Sequence, residues 1–562
     1  MPMLLYKDFI GRIPILHKTK LPPNGAQTCD NAVVESGVLV PMKTLGTGAS
    51  LGTALIKRTA YYIPTSAWKS WTDIVDVIPA PVVNDDYRFF YAGPSEGYAK
   101  ISSKTLNASA ATRRLGVLQP NIIADGAQLN FLEQGTGDGT VEATVSYAYT
   151  CVDEFGGESV LNVATSPYDL EGNQCVRVTG FTKNSLVTYG NDIEYFRLYR
   201  RVTTTSGVGD WFWVKAGVAG TTYWDLPVGT VGSGTLVYDS NTGDATGTAL
   251  GTIGDNCESQ DYDVPPEDII GMTEIQNGVL LAWTANQICP NVPFIYHAFP
   301  TAYRFDFAET IMGVGIFRET ALVATDGQPY LIGGVSPANY IKKKIPYPWP
   351  CLARRSVVSS NMGVFYASER GMVWWDGTGI KIITENLIGE VEWATMLPAN
   401  MIAFFFKGQI YVFSYGASEG FILDVSMEKP FIIDFDLPYN VYGGFVDEGT
   451  DDLRLITYSG ATYQVQNFGD GAALTLEWQS REEVSPAMNF SAIKILGTGW
   501  GTATLKVYGD GVLKDTITAT ANGITRLSSG YRAERWSVVV STSTVNIETI
   551  AMATSIGELR NV

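Results

Sequence analysis

The sequence predicts an all-β protein built around a β-propeller of six or seven blades. Three observations lead there. Charged residues are only 17% of the 562-residue chain, whereas Gly reaches 58 and aromatic residues 12%. That balance is low in helix-forming Glu and Lys and rich in turn and strand formers. Short apolar runs separated by x-Gly pairs recur through 270–470, with turns about 30–50 residues apart, near the 40–50 residues of one blade. No apolar run approaches the roughly 18 residues of a membrane span.

Taken in order, residues 1–45 are punctuated by Pro14, Pro22, Pro23, Gly25 and Gly37 and read as an irregular arm, ordered by packing against other parts. Its opening, MPMLLYKDFIGRIPIL, lacks the apolar core and cleavage site of a secretory leader. Residues 46–134 hold short strand-like runs, ALIKRTAYYI, DIVDVI, YRFFYAG and GYAKISS, and read as the first blade or blades. The stretch GTGASLG at 46–52 lacks the Lys-Ser/Thr of a phosphate loop and is expected to be a plain loop.

Residues 135–240 change character. TVEATVSYAYTCVDEFGGES alternates polar and apolar up to Gly156-Gly157, and VRVTGF, IEYFRLYRRV, WFWVKAGV and TTYWD follow. About seven strands in about 100 residues suit a β-sandwich. Tyr147-x-Tyr149 before a Gly-rich turn is similar to a fibronectin type III module, so an inserted sandwich is expected here, with Gly-rich junctions at 135–139 and 229–254. Residues 241–475 carry the remaining blades, with hairpin turns expected at Asp326-Gly327, Arg370-Gly371, Asp376-Gly377, Lys407-Gly408 and Ser459-Gly460. A stack of unrelated hairpins or a second sandwich fits the same pattern; the turn spacing favours the propeller. Residues 476–562 are expected to close the chain as a C-terminal β-sandwich.

Chemistry is sparse. Two histidines, His17 and His297, stand far apart, which removes most His-based metal and triad arrangements. The six cysteines include no CxxC pair. Cys151 and Cys175 are close enough in sequence to pair within one domain, but scattered free thiols in a reducing compartment fit the spacing better. Carboxylates pair at Asp85-Asp86, Asp447-Glu448 and Asp451-Asp452, all in turn contexts where they cap backbone or face water. The Asp447–Asp452 loop lacks the D-x-D-x-D-G spacing of a calcium loop. Ser368-Glu369-Arg370-Gly371 followed by Trp374 is a distant likeness of a sialidase Asp box, without its Asp, and reads as a structural turn. The aromatic runs Phe404–Phe406 and Trp374-Trp375 read as packing rather than base-stacking platforms. Basic spots occur at Arg113-Arg114, Arg200-Arg201 and Lys342-Lys343-Lys344 with Arg354-Arg355. On strands such neighbours point to opposite faces, and the lysines read as guards of an edge strand. No catalytic, cofactor-binding or metal-binding residue is assigned, and an enzyme is not expected. The net charge of −18 argues against a simple nucleic-acid binder.

Three segments carry a family resemblance. They are GRIPILHKTKLPPNGAQTCDNAVVESGVLVP (with Ala26, Asn31 and Gly37 to Pro41), residues 311–385, and SREEVSPAMNFSAIKI through VNIETIAMATSIGEL. Together they resemble tail nozzle (tail hub, tail tubular protein B-like) proteins of short-tailed bacteriophages. The resemblance implies a structural virion protein in the phage tail, assembled in the host cytoplasm. As a homo-hexamer ring it would bind the tail adaptor of the head-to-tail connector, with tail fibres, tailspikes or a needle nearby. Viral DNA would pass through its lumen without sequence-specific binding, retained until infection, and no stable membrane anchoring is implied. A host receptor-binding propeller and a propeller glycan hydrolase are the alternatives.

Overall fold

In a computed structural model the described residues are 3–53, 55–63, 67–80, 88–102, 112–120, 130–183, 193–232, 234–240, 250–425, 430–447 and 449–561. The chain is all-β: a propeller interrupted by one sandwich and joined to a second.

Four blades are separate antiparallel four-stranded sheets, at 76–114, 271–306, 311–344 and 358–382. The fifth is built from Met401–Phe406, Gln409–Ser414, Ala417–Asp424 and the first half of Phe431–Asp447. That last strand is 17 residues long and passes through Pro438. Its second half, from Asn440, pairs instead with Asp452–Ser459 and so opens the sixth blade. Thr462–Ala473 continues this blade, and Ala49–Gly52 from near the N-terminus completes it. Between the sixth and first blades lies a two-stranded hairpin, Thr59–Ile63 with Ala67–Trp71. One of its faces packs with Ile456, Tyr463 and Val465, the other with Val75, Phe89 and Tyr91. Six four-stranded blades and this hairpin make the ring, so the stretch 46–52, expected to be a loop, is in part a closing strand.

The hairpins follow the turn chemistry of the sequence. Lys407 and Gly408 both take positive φ, 49° and 79°, as a two-residue type I′ loop requires. The turn expected at Ser459-Gly460 falls one residue later: Gly460 and Ala461 carry positive φ, and Ser459 ends its strand. Ala is tolerated there because the flanking ladder fixes the register.

The inserted sandwich has two sheets. One contains Asn130–Gln134, Cys175–Thr179, Val237–Asp239, Ala216–Val218 and Thr221–Tyr223. The other is led by Val141–Asp153 and Ile193–Thr204, the longest pairing in the unit. Its outermost strands, Asn130–Gln134 and Ile253–Asn256, reach beyond 135–240: the first lies in the stretch expected as early blades, and the second overlaps the junction expected at 229–254. Tyr149, Phe181 and Phe196 form an aromatic triad in its core, with ring centroids 4.9–5.7 Å apart. Across the core, Tyr147 Oη and Arg200 Nη1 donate to Asp239 Oδ2, each at 2.6 Å, and Gly251 N–H donates to Oδ1 at 2.6 Å.

The arm is where the sequence expectation departs most from the fold. Met3–Lys7, Ala32–Glu35 and Val38–Pro41 lie in one sheet of the C-terminal sandwich, where Met3–Lys7 pairs with Thr549–Ala553. Ala26–Asp30 lies in the other sheet, antiparallel to Leu476–Ser480. It also bridges in parallel to Asp434 of the fifth blade, fusing blades five and six and half of the sandwich into a 14-stranded sheet. The expected irregularity came from the prolines. Pro14, Pro22 and Pro23 fall in the connections, leaving the strands free to donate their N–H groups. Trp478, fully buried, sits edge-on to Tyr6 and Phe9 at 5.8 and 4.8 Å, and its Nε1 donates to Ile10 O at 3.3 Å. Arg12 ties the arm outward to Asp434 at 2.8 Å and Glu392 at 2.7 Å. All six cysteines are buried free thiols, Cys151 and Cys175 included.

Candidate functional site

The innermost strands of a propeller face its axis, so the axis collects side chains from every blade. Here it encloses a cavity of about 1010 Å³. Thr59–Tyr62 of the hairpin, Val75–Pro79, Met272–Gln276, Gly313 to Arg318, Val357 and Gly444–Asp447 line it. The wall is largely apolar, with Asp76, Glu274, Arg318, Arg354, Arg355 and Asp447 as its charged members.

A short 3-10 turn, Arg354–Ser356, just before the inner strand of the fourth blade, brings two guanidinium groups to this axis. Arg354 Nη2 reaches Asp76 Oδ2 at 2.6 Å and lies over the Trp283 ring at 5.7 Å. The same Oδ2 accepts from Met272 N–H at 3.2 Å. Arg355 Nη2 donates to Thr59 Oγ1 at 2.9 Å and to Val75 O at 3.2 Å, while its Nη1 stays 3.8 Å from Asp76 Oδ1. Both arginines also border a second cavity of about 140 Å³, lined in addition by Arg58, Asn400, Tyr415 and Tyr442. Arg58 lies flat on Tyr415, 4.5 Å from the ring centroid. Gly443 lets it approach: a Cβ there would fall 2.1 Å from Arg58 O. Burial pushes the Arg355 guanidinium down to about 10; Asp76 opposes the shift, and Arg354 and Arg58 add to it. About 27% of its side chain is free of protein contact, but that surface borders these cavities.

The other residues singled out in the sequence do not converge. Lys342–Lys344 are exposed on the outermost strand of the third blade, where Lys344 pairs with Glu309 at 2.6 Å, as an edge guard would. Thus the lysines and Arg354-Arg355, close in sequence, separate to the rim and the axis. Arg113 pairs with Glu154 of the sandwich and Arg114 with Glu267. Arg200 is buried on Asp239, and Arg201 covers Trp211 at 4.5 Å. Asp447 holds Arg454 at 2.8 Å and caps Gly449 N–H at 3.0 Å. Asp85-Asp86 and Glu448 lie outside the described residues. After the Arg370-Gly371 turn, Trp374 stacks on Phe365 at 5.7 Å and donates from Nε1 to Met362 O, a packed turn as expected. Phe404 and Phe406 are core residues. Among the described residues no group of three His, Cys, Asp or Glu side chains is placed to hold a metal ion. Sequence reasoning missed Arg58 and Asp76, which are isolated in the chain and meet Arg354-Arg355 only through the ring closure.

His297 serves a junction rather than the axis. Its Nε2 accepts the Glu158 N–H of the sandwich at 3.1 Å, and its ring meets Tyr262 edge-on at 5.5 Å. Nearby, Arg88 covers Phe155 at 4.7 Å. Burial pushes the imidazole down to about 4 from its ordinary 6.5. The free ring takes up a proton between those values and the docked ring does not. The contribution of the docked ring is therefore complete above pH 6.5 and is lost as pH falls toward 4. It amounts to at most about 3 kcal/mol, an upper bound because part of the residue's surface meets solvent. Asp153, which ends the sandwich strand Val141–Asp153 shortly before Glu158, is pushed up to about 6 by burial and acts in the opposite sense. Urea midpoints measured from pH 7 to 4 for the wild type and His297→Gln should diverge, with the variant losing the imidazole's share of the slope.

No protein-family model matches this sequence, and no curated protein matches it. Among solved structures, similarity extends to the WD40 domain of coronin from Toxoplasma gondii, at 10% identity over 63% of this chain and 89% of that chain, with a TM-score of 0.25. Apo AztD from Citrobacter koseri is 12% identical over 69% of this chain and 99% of that one, TM-score 0.27. The N-terminal domain of Nup159 is 9% identical over 63% and 99%, TM-score 0.22.

Proposed function

We propose that this chain is the ring subunit of a tail nozzle of a short-tailed bacteriophage. In this role it is a structural virion protein that extends the DNA conduit below the portal and adaptor and retains the genome until infection. The observation that carries the reading is how the resembling segments combine. Residues 11–41 and 480–559, about 450 positions apart, form one sandwich, and residues 311–385 supply the third and fourth blades. A resemblance spread over distant segments thus corresponds to one connected frame. The inserted sandwich stands outside that frame and docks on it through His297 and Arg113.

The charge supports the same role. Six copies at −18 each would surround DNA with a repulsive wall, so the genome slides without adhering. The adaptor ring is the expected axial partner, and fibres, tailspikes or a needle the distal ones. Electron microscopy of the purified protein, alone and with the adaptor, is the test. Six-fold rings are the expected result. A trimer or a monomer under both conditions would overturn the reading and favour a receptor-binding propeller.

A further inference from the structure

We propose that the 140 Å³ pocket at the axis of the propeller is a binding site for a small phosphate-type oxyanion. It belongs to a single subunit and does not depend on the ring.

The argument is one of charge balance. Arg58, Arg354 and Arg355 line this pocket, and no carboxylate does. The ion-paired counter-charge, Asp76, faces the larger cavity. Its Oδ2 is already engaged by Arg354 and Met272 N–H, and its Oδ1 is 3.8 Å from Arg355, beyond hydrogen-bond reach. Arg58 has no ion pair among the described residues; it has only the face of Tyr415. One ion-paired carboxylate, with Asp73 acting on Arg355 without an ion pair among the described residues, thus serves three guanidinium groups in a chain whose overall charge is −18. Gathering uncompensated cations inside a protein is costly unless an anion joins them. The lowered affinity of Arg355 for its proton has burial as its largest cause and repulsion from Arg354 and Arg58 as a further one, and a bound anion would relieve that repulsion.

The remaining lining suits the same ligand. Guanidinium forks match the oxygen geometry of a phosphate, and Asn400, Tyr415 and Tyr442 add neutral donors. The volume far exceeds the roughly 10–15 Å³ needed by one water. The phosphate group is the recognised element, whether free or at the end of a nucleotide.

Isothermal titration of the full chain in chloride buffer tests this, with inorganic phosphate and a nucleoside monophosphate as separate probes at matched ionic strength. One site per chain is expected. The variant Arg58→Gln, which leaves the Arg354–Asp76 pair intact, should bind about ten-fold more weakly, the loss of one charge-assisted hydrogen bond. Binding of phosphate alone identifies a free-ion site, and binding of both probes a phosphate-ester site; either supports the proposal. A measurement needing no variant is 31P line broadening on the wild type, which sulfate should reverse and chloride should not. Absence of binding up to about 10 mM phosphate, or unchanged affinity in Arg58→Gln, would overturn it.

Discussion

Replacement of Asp239 by Ala is expected to destabilise the inserted sandwich by about 3–5 kcal/mol. The carboxylate is completely buried and receives Tyr147, Arg200 and the Gly251 N–H. Removing it leaves a guanidinium that is itself only 8% exposed, together with a hydroxyl and an amide that have lost their shared acceptor. The penalty is that of an orphaned buried cation, not of a lost surface pair. Asp239→Asn keeps the shape but not the charge, so it should be nearly as harmful. Exchanging the group for apolar residues, Asp239→Leu with Arg200→Met and Tyr147→Phe, should recover at least half of the loss. Calorimetry is the natural measurement: the sandwich should melt earlier in the single variants. No shift in Asp239→Ala would mean that water reaches Arg200.

Trp478→Ala should cost a similar amount, about 3–5 kcal/mol, through a different mechanism. The indole is fully buried among Tyr6, Phe9 and the arm backbone, so its loss leaves a cavity at the seam between the two ends of the chain. The expected signature is therefore local. The urea midpoint falls, and proteases gain access to residues 1–45 before they cut the blades. Trp478→Phe retains much of the volume but not the Nε1 donor to Ile10, and should lie between the two. Uniform proteolysis across the chain would contradict the seam model.

Much of the architecture could be read locally. A two-residue turn writes its need for positive φ as Lys-Gly or Asp-Gly, and a blade repeats that need at a regular interval. The long strand Phe431–Asp447 defeats this logic, because one run of residues serves two blades and no turn marks the handover. The arm defeats it too. Val38–Pro41 alternates as a half-buried strand does, yet its neighbour, Asn546–Ala553, lies some 500 positions away. Ala49–Gly52 carries none of the β-branched or aromatic residues that signal strands, and it is a strand because the sixth blade has an open edge. The axial arginines were visible only as a pair. Nothing in the spacing of Arg58, Asp76 and Arg354-Arg355 announces that they meet, since what brings them together is the closure of the ring.

That closure also sets a schedule for synthesis. Met3 pairs with Ala553, so this strand waits for one made some 550 residues later. At roughly 5–20 residues per second, the wait is on the order of half a minute to two minutes. Throughout it, the apolar faces of Tyr6, Phe9 and Leu39 have no sandwich to enter, and for most of it the strand Ala49–Gly52 has no sixth blade to complete. The blades and the inserted sandwich can form as they emerge, but the seam cannot. A chain stopped early is left with an unpaired sheet edge and bare apolar side chains, the surfaces on which aggregation and chaperone capture act. Only a chain synthesised through Ala553 can cover the strand that starts at Met3.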